Sequence, residues 1–440
     1  MRQFKTGNHF RRILGTGSVL LLAAIPELAF AQNAVPSDAT FILNTLLLLF
    51  CGVLVFFMHI GFTMLECGLV QPKNVISQLT KNFCLLVIAF AAYFLLGYNL
   101  MYPLGTWLYD GFLSGILWSV VLEPVAPEIG QLDDYAYATT GADFFFQMMF
   151  CAATATIVSG TIAERMRIVP FLIFVSVLCA VIYPVLASWK WGGGFLDQLG
   201  FVDFAGSTLV HSVGGWAALV GAIIVGPRLG RFRDDGKSMK LEAYSVPMAS
   251  LGALLLWLGW LGFNGGSQLA FGSISDAADV SRIFGNTMIA AVGGSIAAIY
   301  LTFALLGKVE IVTVLNGSLG GLVAITAEPL FPSLMLSLMI GAVGGAFVVL
   351  GVELLDRMGI DDVISAIPVH LFAGVAGTLL VPLSNQSASF DTQFIGVIVY
   401  AVATVVLSGI VWFILNLTLG LRVNPTTEAN GLDTELPVQY

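Results

Sequence analysis

Eleven apolar segments follow one another along this chain, and most are long enough to cross a hydrocarbon core as helices. They run Phe41 to Leu65, Phe83 to Met101, Phe144 to Ile162, Ile168 to Trp189, Phe204 to Val225, Ala243 to Phe263, Met288 to Leu306, Val312 to Ala327, Leu334 to Leu354, Val363 to Pro382 and Phe394 to Leu419. A lipid-exposed span must satisfy its backbone polar groups internally, which leaves the helix as the form for runs of this length. The sequence therefore predicts an all-α polytopic membrane protein. Only 10% of the 440 residues are charged and 58% are hydrophobic, whereas soluble domains carry about 25% charged residues. A water-soluble fold is excluded. Glycine and proline inside several segments are compatible with membrane helices, because neighbouring helices satisfy freed backbone groups and small residues permit close packing. Val312 to Ala327 is the shortest of the eleven.

Met1 to Ala31 has a basic start (Arg2, Lys5, Arg11, Arg12), an apolar stretch from Val19 to Ile25 and the small-residue pattern Ala29-Phe30-Ala31. These are the three parts of a signal peptide cleaved after Ala31. The alternative is an uncleaved first helix, for which the apolar run falls short of the ~20 residues a span needs. The expected organisation is a signal peptide over 1–31, a membrane domain over 32–419 and a tail over 420–440. With the mature N-terminus outside, loops after odd-numbered spans place Lys73, Lys81, Arg165, Arg167, Arg228, Arg231, Arg233, Lys237, Lys240, Lys308, Arg357 and Arg422 on the cytoplasmic side, and only Lys190 and Arg282 outside. That asymmetry follows the positive-inside rule, predicts a cytoplasmic tail, and fits a bacterial inner (plasma) membrane. The net charge of −9 thus reports topology, not a polycationic or nucleic-acid partner. Cys51, Cys67, Cys84, Cys151 and Cys179 form no CxxC pair, so neither a disulfide framework nor a metal site is predicted.

His59, His211 and His370 all lie inside apolar segments, where ionisable residues are costly and usually functional. Around two of them the sequence repeats: Asp203 through His211 to Gly215 and Asp362 through His370 to Gly374 both read D-x6-V-H-x3-G. A weaker echo links Gly61-Phe62 with Gly262-Phe263. Five-span halves must run in opposite directions, so this is an inverted five-helix repeat. With each Asp near a membrane boundary, eight helical residues carry its His about 12 Å inward. Two such approaches across a ~30 Å core bring the imidazoles close together near the midplane. The pair lines a pore or forms a buried hydrogen-bonded pair. His59 has no repeat partner and reads as a core or interface histidine; Glu66, near the end of the first span, is explained by solvation at the boundary.

Six stretches in this order and spacing make the sequence similar to the ammonium transporter, methylammonium permease and Rh superfamily: Gly61 to Leu69 with Lys73-Asn74, Gly160 to Arg167, Trp191 to Gly194, Asp203 to His211, Trp260 to Ser267, and Asp361-Asp362 through Val369-His370. The resemblance covers almost the whole mature chain. It implies the eleven-helix ammonium transporter fold, a homotrimer and one pore per subunit. It places an outer ammonium-recruitment site on Phe146, Phe150, Trp191 and Ser267. Aromatic faces attract a small cation and a hydroxyl accepts an N–H, so the assignment is chemically sensible; the alternative is that these phenylalanines only pack between helices. Phe150 and Phe263 match the rings that close the outer mouth, and Trp260 matches a pore-flanking tryptophan. Asp203 matches a buried supporting acid, a role compatible with a helix N-cap, and Asp362 is its counterpart in the repeat. Ser365 and Ile367-Pro368 depart from the common family pattern and are similar to a branch with sensor-like members; the proline is expected to perturb the helix before His370.

The expected mechanism is capture of NH4+ outside, proton loss near Phe150, passage of NH3 past His211 and His370, and reprotonation inside. Directional N–H donors and the capacity to lose a proton distinguish ammonium from potassium. The competing reading is an ammonium-sensing receptor, which requires a separate output chain. Gly420 to Val423 and Gly431 to Asp433 are similar to the family's regulatory segment, implying contact with trimeric PII signal proteins. An enzyme is the poorest reading, because no nucleophile, metal cluster or cofactor loop accompanies the histidines.

Overall fold

In the computed structural model, residues 38–103, 105–125 and 137–435 are described; the segment read as a signal peptide and residues 436–440 lie outside them. Among the described residues nine helices are long and apolar enough to cross a membrane: α1 Asp38–Leu69, α2 Pro72–Met101, α3 Thr140–Thr161, α4 Ile168–Ser188, α5 Ser207–Val225, α6 Val246–Gly266, α7 Ile274–Leu306, α9 Leu334–Arg357 and α11 Phe390–Thr418. Two shorter apolar helices, α8 Ile311–Ile325 and α10 Ile367–Leu383, complete the series. Each corresponds to one of the predicted segments, in order. Between α2 and α3 lies a small antiparallel hairpin, β1 Trp107–Tyr109 with β2 Leu113–Ser114. The tail carries a short helix, α12 Pro425–Asn430.

Apolar runs underestimated two helices. α7 starts at Ile274, where Ser273 caps it by accepting from the Asp276 N–H at 3.1 Å; its first turns carry Asp276, Asp279 and Arg282, so a hydropathy criterion begins too late. Arg282 is consequently on a helix, not in a loop. α2 likewise extends back to Pro72 and includes Lys81, which is only 5% exposed and donates to the Ser159 carbonyl at 2.9 Å. Glu66 is fully buried rather than solvated at a boundary: it accepts from Ser159 Oγ at 2.9 Å and from the Gln78 amide. Sequence alone counted Lys81 as a loop cation because its partners lie on α1 and α3.

α1 makes its most extensive contact with α6, the first span of one half against the first of the other. Small residues permit the approach: a Cβ at Gly252 would lie 2.4 Å from Leu65 N, and one at Gly68 would lie 2.5 Å from Ala249 N. α7, α8 and α9 form a second close-packed group. The buried faces of both halves meet around α5 and α10, while the outward faces expose Leu46, Phe50, Phe83, Phe303, Phe394 and Phe413, as a hydrocarbon solvent requires.

Candidate transport pathway

The two repeated segments fold alike. Asp203 caps α5, its Oδ1 accepting from Ser207 N at 2.7 Å and its Oδ2 from Thr208 N at 2.9 Å and Leu209 N at 2.7 Å. Asp362 caps α10 through Oδ2, which accepts from Ile367 N at 2.6 Å. Each helix then opens with a π-helical turn, Ser207–Ser212 and Ile367–Phe372, that contains its histidine. A wide turn of this kind displaces side chains relative to an α-helix and recurs at functional sites. Pro368 is accommodated there, near the helix N-terminus, where a missing N–H costs little.

His211 and His370 face each other with Nδ1 to Nδ1 at 3.1 Å and ring centroids 5.2 Å apart. Both are buried. One Nδ1 must donate and the other accept, so with both rings neutral one Nε2 is an acceptor and the other an N–H donor. The pair thus presents opposite polarity at its two ends. Among the described residues the His211 Nε2 has no hydrogen-bond partner. Trp260 stacks on His211 at 5.0 Å, and its Nε1 donates to Thr326 Oγ1 at 2.8 Å, which holds the indole in place. Phe62 lies 5.8 Å from the His370 ring; its place in the Gly61 to Leu69 stretch and its echo at Phe263 signalled it. Thr208 and Thr378 meet through their hydroxyls at 2.7 Å; Thr208 was signalled only by its place in the Asp203 to His211 stretch, and Thr378, which lies beyond the repeated pattern, carried no signal.

Phe263 lies 5.2 Å from the His211 ring on the side away from the tail, and Phe150 stacks on Phe263 at 4.0 Å. Phe150 in turn touches Phe146 at 4.7 Å and Trp191 at 5.9 Å. Phe146, Phe150 and Phe263 are buried, whereas Trp191 and Ser267 line an open vestibule of about 780 Å³. Trp191 Nε1 donates to the Asp203 carbonyl at 3.2 Å, which turns its ring toward the pathway's mouth. Ser267 Oγ donates to the Phe263 carbonyl at 2.8 Å, leaving its lone pairs to accept. On the tail side, two residues before His370, a cavity of about 150 Å³ is lined by Pro368, Asp362, Arg228, Arg231, Lys240 and Asp356. The predicted residues therefore form one contiguous file, from Trp191 and Ser267 through Phe150 and Phe263 to the histidines. His59 stands apart between Phe56 and Phe90, 6.4 and 6.2 Å away.

A buried file of aromatic and imidazole rings between two cavities, inside a polytopic helical bundle, defines a membrane transport protein. The profile of the Ammonium Transporter Family matches residues 46–436. The chain is 38% identical over 402 residues to ammonium transporter Amt2 of Haloferax mediterranei, covering 87% of this chain and 86% of that one. It is 34% identical over 407 residues to the ammonium transporter of Bacillus subtilis, covering 89% and 96%. A solved structure titled Sensor Amt Protein superposes with a TM-score of 0.83 at 32% identity, covering 91% of this chain and 99% of that one. The chain belongs to the ammonium transporter family, whose members are transport proteins and not enzymes.

Proposed function

We propose that this chain moves ammonium or ammonia across a bacterial inner membrane by recruiting NH4+ at Phe146, Phe150, Trp191 and Ser267 and passing it along the Phe150–Phe263–His211–His370 file. The observation that carries this reading is the Nδ1 to Nδ1 contact of 3.1 Å between His211 and His370. Aromatic faces favour a cation by ~0.5–2 kcal/mol, and the stacked rings beyond them exclude water. A cation stripped of water between Phe150 and His211 is surrounded by aromatic and imidazole rings, so loss of a proton lowers the cost of passage. Ammonia then meets two imidazole nitrogens, one accepting and one donating, which match its own capacities. Potassium has neither an N–H to donate nor a proton to lose. Asp203 and Asp362 act by capping the histidine-bearing helices. The positive-inside count supports an outward vestibule and a cytoplasmic tail, the N-terminal pattern supports a signal peptide over 1–31, and family membership supports a homotrimer and a PII-type partner.

The test is ammonium uptake and ammonium-evoked current in proteoliposomes. His211→Ala and His370→Ala are expected to abolish selectivity against potassium or reduce uptake at least tenfold, while the trimer still assembles. Wild-type rate and selectivity in both variants overturns the assignment. Trp191→Leu is expected to raise the half-saturating concentration, by up to about 30-fold for a cation–π contribution of ~2 kcal/mol.

A further inference from the structure

Between α2 and α3, the stretch from Gly111 to Leu122 contains no charged residue, and no Lys or Arg stands between Lys81 and Arg165. An uncharged apolar run of about 10–14 residues has the length of a re-entrant or interfacial segment rather than of a span. The stretch is held at three points. At its start Phe112 stacks on Phe195 at 4.3 Å, and its carbonyl accepts from Trp189 Nε1 at 2.8 Å, just beyond α4. In its middle Ser114 Oγ donates to the Asn99 carbonyl at 3.1 Å, and Asn99 Nδ2 donates to the carbonyls of Leu117 at 3.3 Å and Ser119 at 2.7 Å. Ser119 N donates to the Leu95 carbonyl at 2.8 Å. At its end Glu123 accepts from the N–H groups of Thr140 and, at 3.4 Å, Gly141, which turns the first acid after the stretch onto the start of α3.

These contacts fix the depth of the segment. Leu95 stands six residues before the end of α2, about 9 Å along its axis, and Phe94 and Leu95 are exposed on the outward face of that helix. The segment therefore lies beside a part of a membrane-spanning helix that faces lipid. Non-helical backbone is tolerated at such depth only where protein buries it or where it lines a water-filled cavity. Both conditions are met: α2 takes the Ser119 N–H and the Leu117 and Ser119 carbonyls, and Leu117 to Val121 line the vestibule. Yet Ile116 is 63% exposed, Leu122 57% and Trp118 73%. Water is a costly neighbour for such side chains, at about 25 cal/mol per Å² of apolar surface. Lipid is not, and the lipid-facing side of α2 continues directly into them. We propose that Phe112 to Leu122 is seated in the bilayer leaflet on the vestibule side, with Ile116 and Leu122 against acyl chains and Trp118 at headgroup level, where indole rings are favoured. Phospholipid then supports one wall of the vestibule. With no Lys or Arg in the segment, the seat is apolar and needs no anionic headgroup.

Spin labels on the full-length protein in phosphatidylcholine vesicles test this. Ile116→Cys and Leu122→Cys are labelled separately with a nitroxide in a Cys84→Ser background, because the other four cysteines are buried. Asp235→Cys, at an exposed position of the α5–α6 loop, is the aqueous reference. Power saturation compares collisions with oxygen, which partitions into lipid, and with a water-soluble nickel chelate. Both test sites are expected to shift from the nickel-dominated accessibility of position 235 to oxygen-dominated accessibility, without any anionic lipid. Nickel-dominated accessibility at either site puts the segment in water and overturns the proposal. Low accessibility to both reagents means that protein covers the segment, from a second copy or another part of this chain, and overturns it equally. Should Ile116→Cys fold poorly, Leu122→Cys decides, since it sits toward the other end of the segment.

Discussion

Gly206 and Ser365 stand three residues after Asp203 and Asp362, and both have left-handed backbones, at φ 97° and φ 63°. The turn between each capping acid and its helix demands this conformation, which glycine meets freely and serine does not. Gly206→Ala should be destabilising by ~1–3 kcal/mol, since its Cβ would also lie 2.4 Å from Val210 Cγ2 and 3.1 Å from the Trp191 ring. Ser365→Gly should be tolerated or stabilising by up to ~1 kcal/mol, because relief of a ~1–2 kcal/mol strain exceeds glycine's added chain entropy of ~0.5–1 kcal/mol. Thermal midpoints in detergent check both; a lower midpoint for Ser365→Gly than for Gly206→Ala contradicts the argument. The D-x6-V-H repeat exposed the capping acids and the histidines, but not these hinge positions, because one is glycine and the other serine. Asp361, the neighbour of Asp362, was legible only as part of a stretch. It is 1% exposed. Burial pushes its carboxyl upward, but the Arg228 fork, with contacts of 2.8 and 2.9 Å, and nearby Arg165 outweigh burial and hold it well below the usual carboxylate range. The folded value is below the unfolded value of ~3.9, so this contribution is fully present above about pH 4 and is lost as pH falls through the lower folded value. Asp361→Asn should therefore cost stability at neutral pH, by ~3–5 kcal/mol as for a broken buried pair, and flatten the acid limb of a melting-temperature profile. A variant with the wild-type profile between pH 3 and 7 removes Asp361 from that role.

Helix packing shows why apolar runs identify elements better than their neighbours. All eleven predicted segments correspond to helices, because the long apolar runs leave the backbone no other way to be satisfied in lipid. What the runs did not reveal is where helix meets helix. α1 and α6 approach to backbone contact at Gly252, whose added Cβ would meet Leu65 N at 2.4 Å and the Gly61 carbonyl at 2.6 Å. Backbone on both sides cannot move aside as a flexible side chain does. Gly252→Val should therefore lower the yield of folded protein sharply and separate the two halves that align the file. Gly285→Ala is the control: its Cβ would lie 3.6 Å from Leu334 Cδ2, an ordinary contact, and alanine favours a helix over glycine by ~1 kcal/mol. Size-exclusion profiles and melting curves of the pair check the contrast; equal behaviour means the α1–α6 crossing is not limited by backbone contact. The aromatic file shows the same division. Phe146 and Phe150 stand four residues apart on α3 and so share a face, whereas the 4.0 Å stacking of Phe150 on Phe263 joins α3 to α6 and required the fold.

At the scale of the molecule, the tail closes the chain against the ends of helices that carry the pathway. Leu421 O accepts from Arg167 N at 2.8 Å and Val423 N donates to Arg165 O at 3.0 Å, so the segment before α12 runs beside the α3–α4 loop. Arg422 donates to Glu428 at 2.9 and 3.0 Å and to the carbonyls of Val225 and Pro227 at the end of α5. Lys73 Nζ donates to the carbonyls of Glu428 and Ala429 at 3.1 and 2.7 Å. Asp433 accepts from Ile76 N at 3.1 Å and Ser77 N at 2.7 Å, placing a carboxylate at the positive end of α2, where helix dipoles favour it. The tail was legible as a segment similar to the family's regulatory one; its docking on the same subunit was not, because partners such as Lys73, Ile76 and Ser77 lie hundreds of residues away. The docked tail touches α2, the α3–α4 loop and α5 together, so its removal frees three elements at the tail-side end of the pathway at once. Truncation after Arg422 is expected to leave a folded protein with a lower melting temperature, faster hydrogen exchange at residues 72–78 and 226–230, and reduced ammonium uptake. The same truncation should abolish co-purification with a PII protein under changing nitrogen supply if the docked tail is its landing surface. Equal PII recovery with and without the tail excludes it as the main docking element, and unchanged exchange at residues 72–78 shows that the tail does not order the start of α2.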